Sequence, residues 1–176
     1  RHTILTCDWS SDVCSSDLGT SYTRRAGYDV TGKEGKKLSD KWEDGLKTLH
    51  GFTTNGFPNC FFLGFTQGAV TVNVPHALNE QAKHISHLLA EVRTRGEHTV
   101  EATPEGEQGW LDEVKRTSRF GERFRAECTP GYYNNEGKQA NPNGFFTSGY
   151  GGGPIKFFRI LEQWRENGTF DGVKIG

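Results

Sequence analysis

Asn59-Cys60-Phe61-Phe62-Leu63-Gly64-Phe65-Thr66-Gln67-Gly68-Ala69-Val70-Thr71-Val72-Asn73 leads into a helix-patterned segment that begins at Pro75. Its first five residues are a short apolar run bounded by Pro58 and Gly64, and the aromatics and flanking breakers predict a buried strand rather than a helix fragment. From Pro75 to Arg95, the residues Leu78, Ala82, Ile85, Leu89 and Val92 recur at steps of four and three. That is the stripe of an amphipathic helix, which Gly96 is placed to end. The order is therefore strand, glycine-containing loop, helix. Such a loop brings unpaired backbone N–H groups and the positive end of a helix dipole to one place, which suits an anionic or electron-rich ligand. Thr71 or Asn73 can cap the helix, and Pro75 fits the first turn, where its missing N–H costs little.

Upstream, Tyr28-Asp29-Val30 and Lys37-Leu38 flank Gly32-Lys33-Glu34-Gly35 and read as a small β-hairpin. Ser39 to Leu49 carries Trp42, Leu46 and Leu49. Downstream, the cap-like Thr103, then Pro104 and Glu105, opens a second helix whose weaker apolar face holds Trp110, Val114, Thr117 and Phe124. An irregular stretch rich in Gly, Asn and Tyr runs from Cys128 to Gly153, a length usual for functional or disordered loops. A third helix starts at Pro154, presents Ile155, Phe158, Leu161 and Trp164, and meets Gly168 at its end. Val173-Lys174-Ile175 reads as a final short strand. No internal repeat is present.

The chain has 176 residues, and 21 Lys+Arg against 22 Asp+Glu leave a net charge of −1. No global basic field points to nucleic acid. Apolar runs such as Cys60 to Leu63 are far too short to span a bilayer. Residues 1–18 differ from the rest. They lack periodicity and an apolar h-region, and back-translation of Asp8 to Leu18 permits a string resembling a sequencing-adaptor oligonucleotide. They are expected to be non-native, which places the domain at 19–176. The chain contains no Met, even at position 1, and this is read as a missing true start. Cys7 and Cys14 lack the further ligands of a zinc site. Cys60 and Cys128 read as isolated small hydrophobes of a reducing, cytoplasmic setting.

Few residues suggest other chemistry. His76, His84 and His87 with Glu80 offer metal-ligand types on one helix, but the spacing fits histidines lining an amphipathic face better, and no metal is expected. There is no nucleophile elbow, and Cys60 lies in the apolar run. Asn167-Gly168-Thr169 matches a glycosylation sequon without a secretory signal. Gly151-Gly152-Gly153 reads as a close-packed turn or hinge in preference to an anion-binding nest.

Longer matches carry more. Asn55-Gly56-Phe57-Pro58-Asn59-Cys60-Phe61-Phe62-Leu63-Gly64, followed by Asn73 and Glu80-Gln81-Ala82-Lys83-His84-Ile85, resembles the C-terminal part of Baeyer–Villiger monooxygenases, in the flavin-containing monooxygenase group. Lys41-Trp42-Glu43-Asp44-Gly45 and Thr48-Leu49-His50-Gly51 resemble that family's K-W-x-x-G and T-x-x-G stretch. Cys128-Thr129-Pro130-Gly131-Tyr132-Tyr133-Asn134-Asn135-Glu136-Gly137 and Tyr150-Gly151-Gly152-Gly153-Pro154 resemble the branch associated with bulky or cyclic ketones. Essentially all of 19–176 takes part, in order.

The resemblance implies an α/β fold, the C-terminal part of a Rossmann-like FAD-binding domain in a flavoprotein with two dinucleotide-binding domains. It implies FAD and NADPH as cofactors, and insertion of one oxygen atom of O2 beside a ketone carbonyl to give an ester or lactone. Gly64, Thr71, Val72, Asn73 and Val74 would then lie at the flavin, with the helix after Asn73 facing its pyrimidine edge. Tyr132 and Tyr133 would belong to a loop that closes over NADP. The two G-x-G-x-x-G turns, the Phe-x-Gly-x-x-x-His fingerprint and the catalytic Arg and Asp of the family do not occur. The chain is therefore expected to be a fragment without catalytic residues, whose missing N-terminal part is its main partner. Where the family commonly has Gly-Pro, this chain has Gly64-Phe65. The alternatives are a fragment of an N- or S-oxygenating flavin monooxygenase, or a non-enzymatic αβ interaction module.

Overall fold

The computed structural model describes residues 27–43, 45–64, 66–118 and 149–176. In chain order these form a 3-10 turn (Lys33–Gly35), α1 (Leu38–Lys41), α2 (Val74–Thr94), β1 (Val100–Ala102), α3 (Pro104–Thr117), α4 (Pro154–Asn167) and β2 (Val173–Ile175). They fall into two compact units. The described part of the first lies within 27–31 and 35–46, and that of the second within 32–34, 47–118 and 149–176.

In the first unit a helix replaces half of the expected hairpin. Thr31 and Lys37 make one antiparallel bridge, after which the chain turns into α1. Asp29 braces its first turn at the surface, accepting from the Ser39 N–H at 3.3 Å and the Ser39 hydroxyl at 2.6 Å. The Ser39 hydroxyl is also the main reason that the Asp29 carboxyl titrates below its usual range. A carboxylate serving donors in a first helical turn is stabilising there, and it outweighs a two-stranded pairing of a single rung. Leu38, Trp42 and Leu46 are buried.

In the second unit all three long helices start within a residue of where the sequence predicts, although α3 ends at Thr117, short of Phe124. The caps explain two of the starts: Asn73 accepts from the His76 N–H at 3.1 Å, and Thr103 accepts from the Gly106 N–H at 3.0 Å. Gly168, with φ 63°, ends α4 in the left-handed conformation. β2 also forms, and pairs antiparallel with β1 in the register Val100↔Ile175, Glu101↔Lys174, Ala102↔Val173. One core cluster here is Leu88, Val92, Val100 and Phe170, with Phe61, Trp164, Val173 and Ile175 against it, and Phe52, Phe57, Val114, Phe157 and Leu161 are buried as well. Each such side chain contributes about 1.5–3 kcal/mol when fully buried.

Three expectations need correction. Residues 59–63 form no strand. Asn59 N–H donates to Val100 O at 2.8 Å and Phe62 N–H to Phe52 O at 2.8 Å, but these isolated bonds come from different neighbours and make no ladder. Apolar content predicts burial, yet a strand also needs a partner edge, and no described residue supplies one to 59–63. The second correction concerns α2. Its buried face is Ala77, Glu80, Gln81, His84, Leu88 and Val92, so most of the predicted inward stripe points out. Leu78 is 40% and Leu89 45% exposed, Ala82 is exposed, and only Val92 is buried. Third, Ile155 of α4 is 71% exposed, while Phe157 and Leu161 are the buried residues. Phe124, assigned to α3's apolar face, lies outside the described residues, as do residues 1–18.

The segment Asn55–Asn59 owes its shape to buried carboxylates. Glu107 accepts from the Thr54 hydroxyl and the Asn55 N–H, both at 2.5 Å. Glu101 accepts from the Gly56 N–H at 2.9 Å and pairs with Lys33. Asn59 exchanges bonds with β1, donating its N–H to Val100 O and accepting the Val100 N–H on its side-chain oxygen at 3.0 Å.

Candidate functional site

The loop between Gly64 and α2 has a buried half and an exposed half. Thr66 to Ala69 are buried; Val70 is 67% exposed, Val72 fully exposed and Val74 38% exposed. The buried half is gripped from behind. Gln67 sits at φ 47°, completely buried, and its side-chain oxygen accepts from the Thr48 N–H at 3.1 Å and the Thr48 hydroxyl at 2.5 Å. Tyr150 N–H donates to Gly68 O at 3.0 Å.

The T-x-x-G stretch thus has a physical role. Leu49 to Phe52 form a tight turn with Phe52 N–H donating to Leu49 O at 3.0 Å, and the two central residues have φ 53° (His50) and 83° (Gly51). Two positive φ values mark a type I′ turn, whose second central place favours glycine. A Cβ at position 51 would also run into the Thr66 carbonyl oxygen. At the start of the loop, Gly64 has φ 125°, and Gln81 of α2 binds both polar groups of its backbone.

The exposed half presents donors. Asn73 spends its side chain on His76, and its own N–H goes to the Thr71 hydroxyl at 3.2 Å. Among the described residues, the N–H groups of Val72 and Val74 find no acceptor. These two donors lie at the positive end of a 21-residue helix, and that end carries roughly half an elementary charge. Donors so placed suit an electron-rich group, which backbone alone would hold against the loop. Of the residues expected at the site, Val72 and Val74 offer free N–H groups, Thr71 and Asn73 shape the turn, and Gly64 anchors it. Tyr132 and Tyr133 lie outside the described residues.

Other candidates do not converge. The His76 ring meets Phe158 edge-on at 5.0 Å, the His87 ring stacks on Phe170 at 5.4 Å, and Glu80 pairs with Lys83 at 2.6 Å and faces Arg165 at 3.7 Å. Among the described residues no three His, Cys, Asp or Glu side chains come together as metal ligands. Burial raises the Cys60 thiol above its ordinary pKa, which makes it a poor nucleophile. Gly151 donates its N–H to the Thr117 hydroxyl at 3.2 Å, Gly152 lies so close to the Tyr150 ring that a Cβ would collide with it, and Gly153 O accepts the first helical bond of α4 from Phe157 N–H at 3.1 Å.

His50 was not foreseen as important, yet it is a hub. Its ring lies 5.5 Å from that of His84, 5.0 Å from Trp110 and 5.8 Å from Trp164. Burial depresses the His50 pKa to about 4 and, with added repulsion from His50, Arg165 and His87, that of His84 to about 2. Both rings are therefore neutral at pH 7. Gln67 and Gln81 were also missed as bracing residues. Only their polarity inside apolar surroundings hinted at them.

No protein-family model matches the chain. Among curated proteins it is 44% identical over 161 residues to Pentalenolactone D synthase of Streptomyces exfoliatus, covering 90% of this chain and 27% of that protein. It is 41% identical over 150 residues to the Baeyer–Villiger monooxygenase of Streptomyces coelicolor, covering 85% of this chain and 24% of that one. Among solved structures, the polycyclic ketone monooxygenase of Thermothelomyces thermophila superposes with a TM-score of 0.73 at 31% identity, over 89% of this chain and 25% of that one. Other relatives bear the name FAD-binding monooxygenase, and some solved relatives of the same fold hold NADP. The chain spans about a quarter of the length of the curated relatives it matches. Over nearly its whole length, then, this chain is a homologue of one segment of the Baeyer–Villiger monooxygenases, which are flavin-dependent enzymes.

Proposed function

We propose that the chain is the C-terminal segment of an FAD- and NADPH-dependent monooxygenase that inserts one oxygen atom of O2 into a bulky or cyclic ketone. The observation that carries the reading is the braced loop whose exposed half ends in two unengaged N–H groups at a helix N-terminus. The residues fit a flavin edge: the donors of Val72 and Val74 suit its electron-rich heteroatoms, and the exposed valines suit an apolar ring. When bound, FAD supplies the oxygen-activating redox chemistry. This chain's residues hold the loop, aim the donors and favour the electron-rich reduced form. Gly64, Thr71 and Asn73 act by setting the backbone, and the reading assigns Tyr132 and Tyr133 to NADP.

The remainder of the flavoprotein, including its Rossmann-like sheets, is part of this proposal. The outward stripe of α2 supports it, because Leu78, Ala82, Ile85 and Leu89 form a face for further protein to cover. Residues 59–63 would find a strand partner there. No helix among the described residues is long and apolar enough to cross a membrane. A reducing, cytoplasmic setting fits the free thiol of Cys60.

The test is a chimera in which residues 19–176 replace the matching segment of Pentalenolactone D synthase of Streptomyces exfoliatus. The proposal expects stoichiometric FAD and NADPH-dependent conversion of a polycyclic ketone to a lactone. A folded chimera that holds no flavin would refute it.

A further inference from the structure

Gln81 lies on the buried face of α2, eight positions after the cap Asn73, and is only 4% exposed. Gly64 N–H donates to its side-chain oxygen at 2.9 Å, and its side-chain nitrogen donates back to Gly64 O at 2.6 Å. The pair of bonds imitates one rung of a β-ladder, at the place where residues 59–63 lack a neighbouring strand. We infer that Gln81 is a positioning residue for the flavin loop: it acts through the Gly64 backbone to fix where the N–H groups of Val72 and Val74 point. The inference rests on the flavin reading above.

The chemistry selects an amide. At neutral pH a carboxylate would accept from the Gly64 N–H but repel the Gly64 carbonyl, and an ammonium would donate without accepting. Glutamine alone among uncharged side chains of this length does both. Water is a poor substitute at so buried a position. The clamp also ties the loop to the helix whose N-terminus it feeds. α2 carries Asn73 at its start and Gln81 two turns later, so the helix cannot shift along its axis without dragging Gly64. Within the buried half, Gln67 is held by Thr48. Two side-chain amides thus pin Gly64 and Gln67, and only the exposed half of the loop is left for a ligand.

The experiment uses the chimera described above and compares it with its Gln81→Leu, Gln81→Glu and Leu88→Ala variants. Leu88 is buried on the same helix but makes no contact with the loop through hydrogen bonds, so its variant controls for lost stability. FAD affinity and the midpoint potential of the bound flavin are read alongside Tm. Gln81→Leu should weaken FAD about tenfold and make the potential more negative, since misaimed donors favour the reduced anion less. Leu88→Ala should lower Tm without moving the potential. Measured against the unmutated chimera at the same pH, Gln81→Glu should bind FAD nearly as well at low pH, where a carboxylic acid both donates and accepts, and progressively worse as pH rises. Unchanged affinity and potential in Gln81→Leu, or a pH-independent Gln81→Glu, would overturn the role of Gln81 while leaving the flavin reading intact. An unmutated chimera without FAD would overturn the flavin reading itself, and this inference with it.

Discussion

Acid should loosen this fold well before its carboxylates titrate. His50 and His84 are buried side by side, and Trp110 and Trp164 complete the surroundings of His50. Nδ1 of each ring has no hydrogen-bond partner among the described residues. Besides burial, repulsion makes protonation of His84 harder, first from His50, then from Arg165 of α4 and His87 of α2. Folding lowers both pKa values from 6.5, to about 4 for His50 and about 2 for His84. Above pH 6.5 both states are neutral and the pair adds no pH dependence. As pH falls from 6.5 towards 4, the unfolded chain gains two protons that the folded chain refuses. Stability then drops by about 1.4 kcal/mol per histidine for each pH unit. At pH 5 the pair should cost about 4 kcal/mol, a large part of the roughly 5–15 kcal/mol that a domain possesses. Urea melts followed by tryptophan fluorescence at pH 7.5, 6.5, 5.8 and 5.0 would show the fall, and His84→Gln should reduce its slope by about half. Equal stability at pH 7.5 and 5.0, or an unchanged slope in the variant, would refute the reasoning.

Gly51→Ala should destabilise the chain by more than the ~1–2 kcal/mol that a left-handed φ alone costs, because the added methyl meets the Thr66 carbonyl; a shift of Tm within error would contradict this. Glu107→Ala should cost about 2–3 kcal/mol through its lost bonds to the Thr54 hydroxyl and the Asn55 N–H, measured by chemical denaturation. Cys60 should alkylate more slowly than free cysteine at pH 8, as mass spectrometry of iodoacetamide-treated protein would report. In the chimera, Val72→Pro should lose flavin because it removes a donor and restricts φ. Thr71→Ala, which leaves that N–H in place, should lower affinity only slightly.

The long helices were legible because their signals are local. Asn73 and Thr103 cap as their side chains allow, and Gly168 stops α4 in the conformation that glycine tolerates best. Position along the chain was therefore readable, while orientation was not. α2 carries two usable faces, and hydropathy picked Leu78, Ala82 and Leu89 over Glu80, Gln81 and His84, whose burial depends on partners far away in sequence. Gln81 becomes a core residue only because Gly64 is there to meet it. The same dependence hid β1, whose three residues Val100, Glu101 and Ala102 are buried against β2 and the Asn55–Asn59 segment. It also misled the reading of 59–63 as a strand. At the site, the loop-to-helix transition and its cap were visible in Thr71, Asn73 and Pro75. The bracing by Thr48, Gly51 and Gln67 was not, since it needs positive φ at His50 and Gln67, which neither residue type announces.

The central claim is that the exposed half of this loop meets FAD through backbone donors. Hydrogen–deuterium exchange of the chimera, with and without FAD, tests it at the atoms concerned. Slower exchange is expected at Val72 and Val74 on adding FAD, with Val100 to Ala102 unaffected. Tight flavin binding that leaves exchange at Val72 and Val74 unchanged would contradict the claim.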